Sequence, residues 1–156
     1  MDKIDKKILE ILQTNSQITN QELADEVSLS PSPCLRRVNN LETSGYISRY
    51  VAIVNPEKVG LILTIVILVG LSSHDPKTML NFEKTMEASP EVLQCYLIAG
   101  QSADYMLRIV VRDLAEYQQF LLNKLTQING VTSVHSSFVI KNLIEKTALP
   151  INVLKT

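Results

Sequence analysis

Arg36, Arg37 and Asn40 are the side chains of this sequence best matched to a defined chemistry. A guanidinium forks onto guanine O6 and N7 or bridges phosphates, and a carboxamide does the same for adenine N6 and N7. Ser30 and Ser32, just upstream, add hydroxyls of the kind that bind phosphate oxygens. Such groups act together only from a rod narrow enough to enter a major groove, which is one α-helix. At about 100° per residue, Cys34, Leu35, Val38 and Leu41 are expected on the inward side of that helix. Arg36, Arg37 and Asn40 are expected on the other side, free to enter the groove.

The elements that must hold this helix are marked by their ends. Ser30 followed by Pro31 fits an N-cap with proline at the first helical position, and Pro33 is tolerated within the first turn. Gly45 supplies the left-handed residue that commonly closes a helix. Upstream, Thr19 and Glu22 form a capping box, with Ile18 and Leu23 as the hydrophobic staple, so a shorter helix starts at Asn20. Ser28, Leu29 and Ser30 make the break between the two. A first helix carries Ile4, Ile8, Ile11 and Leu12 on one face, with Asp2 as its cap and its end near Asn15. Three helices with this turn form a helix-turn-helix DNA reader. Residues 46–54 alternate apolar and small polar side chains, as a wing or linking strand would, before Asn55 and Pro56 interrupt them.

Composition limits the rest. The 156 residues are 46% hydrophobic with a formal net charge of −1. Without a global positive field, phosphate contacts must be local and are multiplied most simply by oligomerisation. The N-terminus lacks an apolar signal core, and the apolar run at 61–71 is too short to span a bilayer, so a cytoplasmic, nucleoid-associated protein with no membrane partner is expected. Cys34 and Cys95 read as reduced thiols. Neither they nor His74 and His135 have metal-ligand spacing, so no metal or cofactor is expected. The glycines are too far apart for a phosphate-binding loop, and no catalytic residue set stands out.

From residue 61 the texture changes to a strand apolar on both parities. Asp75-Pro76 opens a helix carrying Met79, Phe82 and Met86, stopped by Ser89-Pro90. Strands follow at 92–99 and 105–112. Asp113 with Glu116 opens a second helix with Tyr117, Phe120, Leu121, Leu125 and Ile128, Gly130 ends it, and a last strand runs over 131–141. The order is βαββαβ, the ferredoxin-like split unit. The expected fold class is therefore α+β: a helix-turn-helix domain over 1–55 and a ferredoxin-like domain over 56–156. Two helices cover one face of such a sheet. The other face requires a cover, most simply a second copy of itself in an isologous dimer.

This order, with the stretches IDKKILEILQTNSQIT, LADEVSLSPSPCLRRVNNLETSGYI, NPEKVGL and GVTSVHSSFVIK, resembles the leucine-responsive/asparagine (Lrp/AsnC, feast/famine) regulators over essentially the whole chain. The resemblance implies a transcription regulator that binds double-stranded DNA, dimerises through its C-terminal domain, often assembles to an octamer, and binds a free amino acid between subunits. It places the effector turn at Gly100, Gln101, Ser102, Asp104 and Tyr105, and a polar pair on the last strand at Ser136 and Ser137. Backbone N–H groups and hydroxyls there suit a carboxylate, and Asp104 suits an ammonium. The turn has one residue more than the usual family spacing, and Val134 stands where threonine is common. Two other functions remain open. The architecture is also similar to that of sirohaem decarboxylases, and an effector-independent architectural DNA-binding protein would need the same reader.

Overall fold

The computed structural model describes residues 1–100 and 103–151. The chain divides into two compact units, one built from residues 1–53 with 143–151 of the described C-terminal residues, the other from 54–142.

In the first unit, α1 (Lys3–Thr14), α2 (Asn20–Glu26) and α3 (Pro31–Thr43) surround a core of Ile8, Leu9, Leu23, Ala24, Val27, Cys34 and Leu41. Both N-terminal signals act as read. Asp2 and Asp5 form a capping box on α1, and Thr19 and Glu22 form one on α2. The break between α2 and α3 is reached through Ser28, at φ 57°, the one described non-glycine residue in the left-handed region. Gly45 follows α3 at φ 75°.

Two expectations are corrected here. Residues 46–54 form no strand: they run exposed, with Tyr46, Val51, Ile53 and Val54 open to solvent. A strand needs a neighbouring strand for its backbone groups, whereas here the Ile47 N–H donates to the Leu41 carbonyl at 3.1 Å and Ile47 packs on the three-helix core. Residues 143–151, expected in the second domain, belong instead to the first unit. Their anchor is reciprocal: the Leu149 N–H donates to Gln13 Oε1 at 2.6 Å and Gln13 Nε2 donates to the Leu149 carbonyl at 3.2 Å, while Ile151 packs against the three-helix core.

The second unit contains β1 (Leu63–Leu71), α4 (Pro76–Glu87), β2 (Val92–Leu97), β3 (Tyr105–Val111), α5 (Leu114–Asn123) and β4 (Val131–Phe138), in the βαββαβ order expected. The last strand is shorter than the 131–141 expected from sequence. The sheet order is β2-β3-β1-β4, with the three neighbouring pairs antiparallel. Alternate residues Ile65, Ile67, Val69 and Leu71 of β1 and Tyr105, Leu107, Ile109 and Val111 of β3 are buried against Phe82, Met86, Tyr117 and Phe120 of the helices. The opposite parity presents Val66, Leu68 and Met106, only half-buried. Strand pairing sets His135 beside Leu68 and Ser137 beside Val66 on that open face. The double-sided apolarity of β1 thus reflects one face packed by helices and one left bare.

Candidate DNA-reading helix and effector turn

The reader is held by its neighbours more tightly than its own sequence indicates. Ser30 has the extended backbone of an N-cap, yet its hydroxyl makes no capping bond. With Pro31 and Pro33 lacking an N–H and the Cys34 N–H bonded to the Ser30 carbonyl, that hydroxyl and the Ser32 N–H are the groups of this first turn available to an anion, which the helix dipole favours. Asn20, at the start of α2, donates from Nδ2 to the Pro31 carbonyl at 2.9 Å and so ties the two helix starts together.

Ser32, Arg36 and Asn40 are all exposed, and Arg36 has no ion pair among the described residues. Two sequence expectations about α3 change. Leu35, expected in the core, is 49% exposed. It lies about 100° around the helix from buried Cys34, beyond the reach of the three-helix core. Its exposed side chain adds an apolar group of the kind that contacts a thymine methyl. Arg37, expected free, is bound instead by α1: its Nη1 donates to Asp2 Oδ2 and to Asp5 Oδ1, each at 2.7 Å. Arg37 lies only about 40° around the helix from buried Leu41, on the flank facing α1. These pairs hold its guanidinium protonated even more firmly than usual, and the Asp5 backbone N–H together with Arg37 lowers the Asp2 pKa.

The effector residues fall into separate groups. Gly100 ends the described part of the β2–β3 turn at φ 93°, while Gln101 and Ser102 lie outside the described residues. Asp104 is already engaged: Oδ2 accepts the Leu71 N–H at 2.7 Å and Oδ1 meets His74 Nε2 at 2.5 Å. The Leu71 N–H, then His74, hold its carboxyl below the usual range. Asp104 therefore clamps the end of β1 and the following loop to the β2–β3 turn, and His74 is a partner that sequence spacing did not indicate. Its signal is weak, a lone histidine just after a strand.

Tyr105 is buried, stacked 4.5 Å from Phe82 by ring centroid, and its hydroxyl donates to Glu83 Oε1 at 2.7 Å. Burial, then Glu83, raises its pKa. Ser136 accepts from the Tyr117 hydroxyl at 2.6 Å on the helix-covered face, whereas Ser137 lies on the open face. Within one protomer, then, Asp104 and Tyr105 adjoin the turn, but β1 lies between the strand of Tyr105 and that of Ser136 in the sheet.

With this arrangement established, comparison with known proteins decides the family. A profile described as Lrp/AsnC ligand binding domain matches residues 64–149, and one described as winged helix-turn-helix DNA-binding matches residues 1–48. The chain belongs to the Lrp/AsnC family of transcriptional regulators. It is 38% identical to the Bkd operon transcriptional regulator of Pseudomonas aeruginosa over 97% of this chain and 98% of that protein. It is 35% identical to the DNA-binding transcriptional activator DecR of Escherichia coli, over 97% and 99%. Among solved structures, a Neisseria meningitidis transcriptional regulator in complex with L-methionine superposes with a TM-score of 0.93 at 39% identity, over 97% of each chain. Escherichia coli AsnC does so with 0.87 at 26%, over 95% and 97%. As an Lrp/AsnC protein the chain joins a winged helix-turn-helix DNA-binding domain to an Lrp/AsnC ligand-binding domain.

Proposed function

We propose that this regulator binds operator DNA as a dimer or larger even-numbered assembly, inserts α3 into the major groove, and changes DNA affinity when a free amino acid binds between subunits. The observation that carries the reading is the outward face of α3. An unused N-cap hydroxyl at Ser30 and exposed Ser32, Arg36 and Asn40 lie along one accessible side of α3. The net charge of −1 makes a single reader a weak DNA ligand, so two readers per site are needed. The half-buried apolar strip of Val66, Leu68 and Met106 provides the means of pairing them. Octamer formation would extend the same logic. The work takes place on the chromosome, in the cytoplasm.

The effector is an α-amino acid, with L-methionine the first to test because a relative 39% identical over nearly its whole length was solved with it. The β2–β3 turn and the polar residues of β4 are its expected lining, completed by a second subunit, because one protomer leaves these groups apart. Asp104 acts chiefly by fixing the turn, since both its oxygens already have partners. The ligand shifts DNA affinity only through a difference in its binding to two assembly or dimer geometries, with a coupling of about 1–3 kcal/mol.

Calorimetry of the full-length protein against each of the twenty amino acids tests the effector, read with assembly mass and operator affinity for each. A heat of binding for one apolar amino acid, with a matching change in operator affinity, supports the reading. Flat titrations throughout, with operator binding intact, leave a DNA-binding protein that no amino acid controls.

A further inference from the structure

Arg37 stands on the reading helix, yet its bonding belongs to a different helix. Asp2 and Asp5 each spend one oxygen on the capping box: the Asp5 N–H donates to Asp2 Oδ1 and the Asp2 N–H to Asp5 Oδ2, both at 2.9 Å. The two oxygens left over, Asp2 Oδ2 and Asp5 Oδ1, are those that Arg37 Nη1 reaches. All four carboxylate oxygens thus have a donor, and both hydrogens of Nη1 are committed. Two carboxylates against one guanidinium leave the charge of Arg37 already matched inside the protein, with none to spare for a phosphate. Arg36, one residue earlier, is exposed with no ion pair among the described residues.

We propose that Arg37 is a positioning residue for DNA reading: by bridging the capped N-terminus of α1 it fixes the rotation of α3 about its own axis, and it contributes no phosphate or base contact itself. The inference rests on the reading of α3 as the groove helix. Cys34 and Leu41 are the buried residues of α3, with Val38 half-buried on the same core, a narrow stripe on which a helix can roll. A roll of about 20° carries side-chain tips roughly 2 Å, because a helix with its side chains has a radius of about 5–6 Å. That displacement is enough to break the bidentate geometry on which base discrimination depends. Arg37 thus sets where Ser32, Arg36 and Asn40 meet the groove.

The two possible roles of Arg37 predict opposite signs when its partners are neutralised. On charge alone, Asp2→Asn with Asp5→Asn removes two negative groups beside the DNA face and strengthens binding. If Arg37 acts through them, the same double variant weakens operator binding, while asparagine still provides a capping acceptor for α1. The experiment titrates full-length protein with operator and with random DNA across a salt series. It compares the unsubstituted chain, Arg36→Ala, Arg37→Ala, the double asparagine variant and the triple variant, with circular dichroism and assembly mass as checks of folding.

The expected result is a loss of at least about tenfold in the operator-to-random ratio for Arg37→Ala and for the double variant, with random binding and the salt slope retained and the triple variant no worse than either. Arg36→Ala instead weakens binding through the lost contact itself, lowering the slope by about one where Arg36 holds a phosphate. A drop in slope for Arg37→Ala, or tighter operator binding by the double variant, overturns the proposal. Hydrogen exchange in the free protein provides a reading that needs no DNA. Faster exchange of α3 amides in Arg37→Ala is expected, and unchanged exchange overturns the brace. If the unsubstituted chain binds no DNA, the proposed function fails and exchange still decides whether Arg37 braces α3.

Discussion

Arg36 and Arg37 are adjacent in the chain and opposite in circumstance, one facing outward and the other held by two aspartates. Sequence periodicity grouped them because consecutive residues are separated by only about 100°. What distinguishes them is Arg37's place one turn before buried Leu41, together with two aspartates three residues apart near the start of α1. The same limit hid the role of Asp104. Its type suited an ammonium ligand, but a backbone N–H and a histidine thirty positions away had already taken its oxygens, and only the folded sheet brings them together. Arg36→Ala is expected to cost about 1–3 kcal/mol of operator binding and relax one base position if it reads a base, or to weaken all sequences alike if it holds a phosphate. Binding to a panel of single-base operator variants distinguishes the two. A second prediction concerns acid. Asp75, which accepts from the Thr78 hydroxyl and backbone at the start of α4, has its pKa lowered to about 2, and that of Asp104 is lowered as well. Their folded pKa values lie below the unfolded ones, so their stabilisation is complete above the unfolded pKa of about 3.9 and fades as pH falls toward the folded value. Urea midpoints of the unsubstituted protein should fall over that window, and Asp75→Asn should flatten the fall.

Elements were legible wherever their signals are local. Asp2, Thr19, Ser30-Pro31, Asp75-Pro76 and Asp113 each start a helix where they stand, because a cap depends on residues within one turn. Two caps depart in detail: the Ser30 hydroxyl makes no capping bond, and Glu116 reaches back to the Arg112 N–H at 2.6 Å, one residue before the Asp113 cap. Residues 46–54 show the converse, since their alternation resembles a strand but a strand exists only with a neighbour. Gly130 joins α5 to β4 at φ 100°, and a Cβ there would lie 2.6 Å from Thr78 Cγ2. Gly130→Ala is expected to destabilise the second unit by about 2 kcal/mol or more, from backbone strain plus the clash. Thermal unfolding of the single variant and of the same change with Thr78→Ser separates the two, since the serine removes the clash and leaves the strain.

For the whole molecule, the proposed dimer rests on the open sheet face. Leu68 pairs with Met106 on one side and His135 on the other, at the middle of that face. Leu68→Asp is expected to raise the dimer dissociation constant by about thirtyfold or more, the size of an interface hot spot, without unfolding the protomer. Sedimentation across a concentration series measures it, and an unchanged assembly would place the interface elsewhere. The need for a cover was legible in the apolar doubling of residues 61–71. The path of the C-terminus was not, because its anchors are a glutamine side chain on α1 and a backbone amide more than a hundred residues away.

That path makes the reader a discontinuous domain. Its helices come from the first residues of the chain, but part of its cover comes from residues 143–151, delivered only after β4 is complete. A ribosome releasing this chain therefore presents the three helices long before Leu149 and Ile151 exist to dock on them, so the DNA-binding unit is finished last although it is made first. Grafting residues 1–53 of one relative onto the sheet domain of another would pair helices from one parent with a closing segment from the other. Exchanges of specificity in this architecture must carry both ends of the chain.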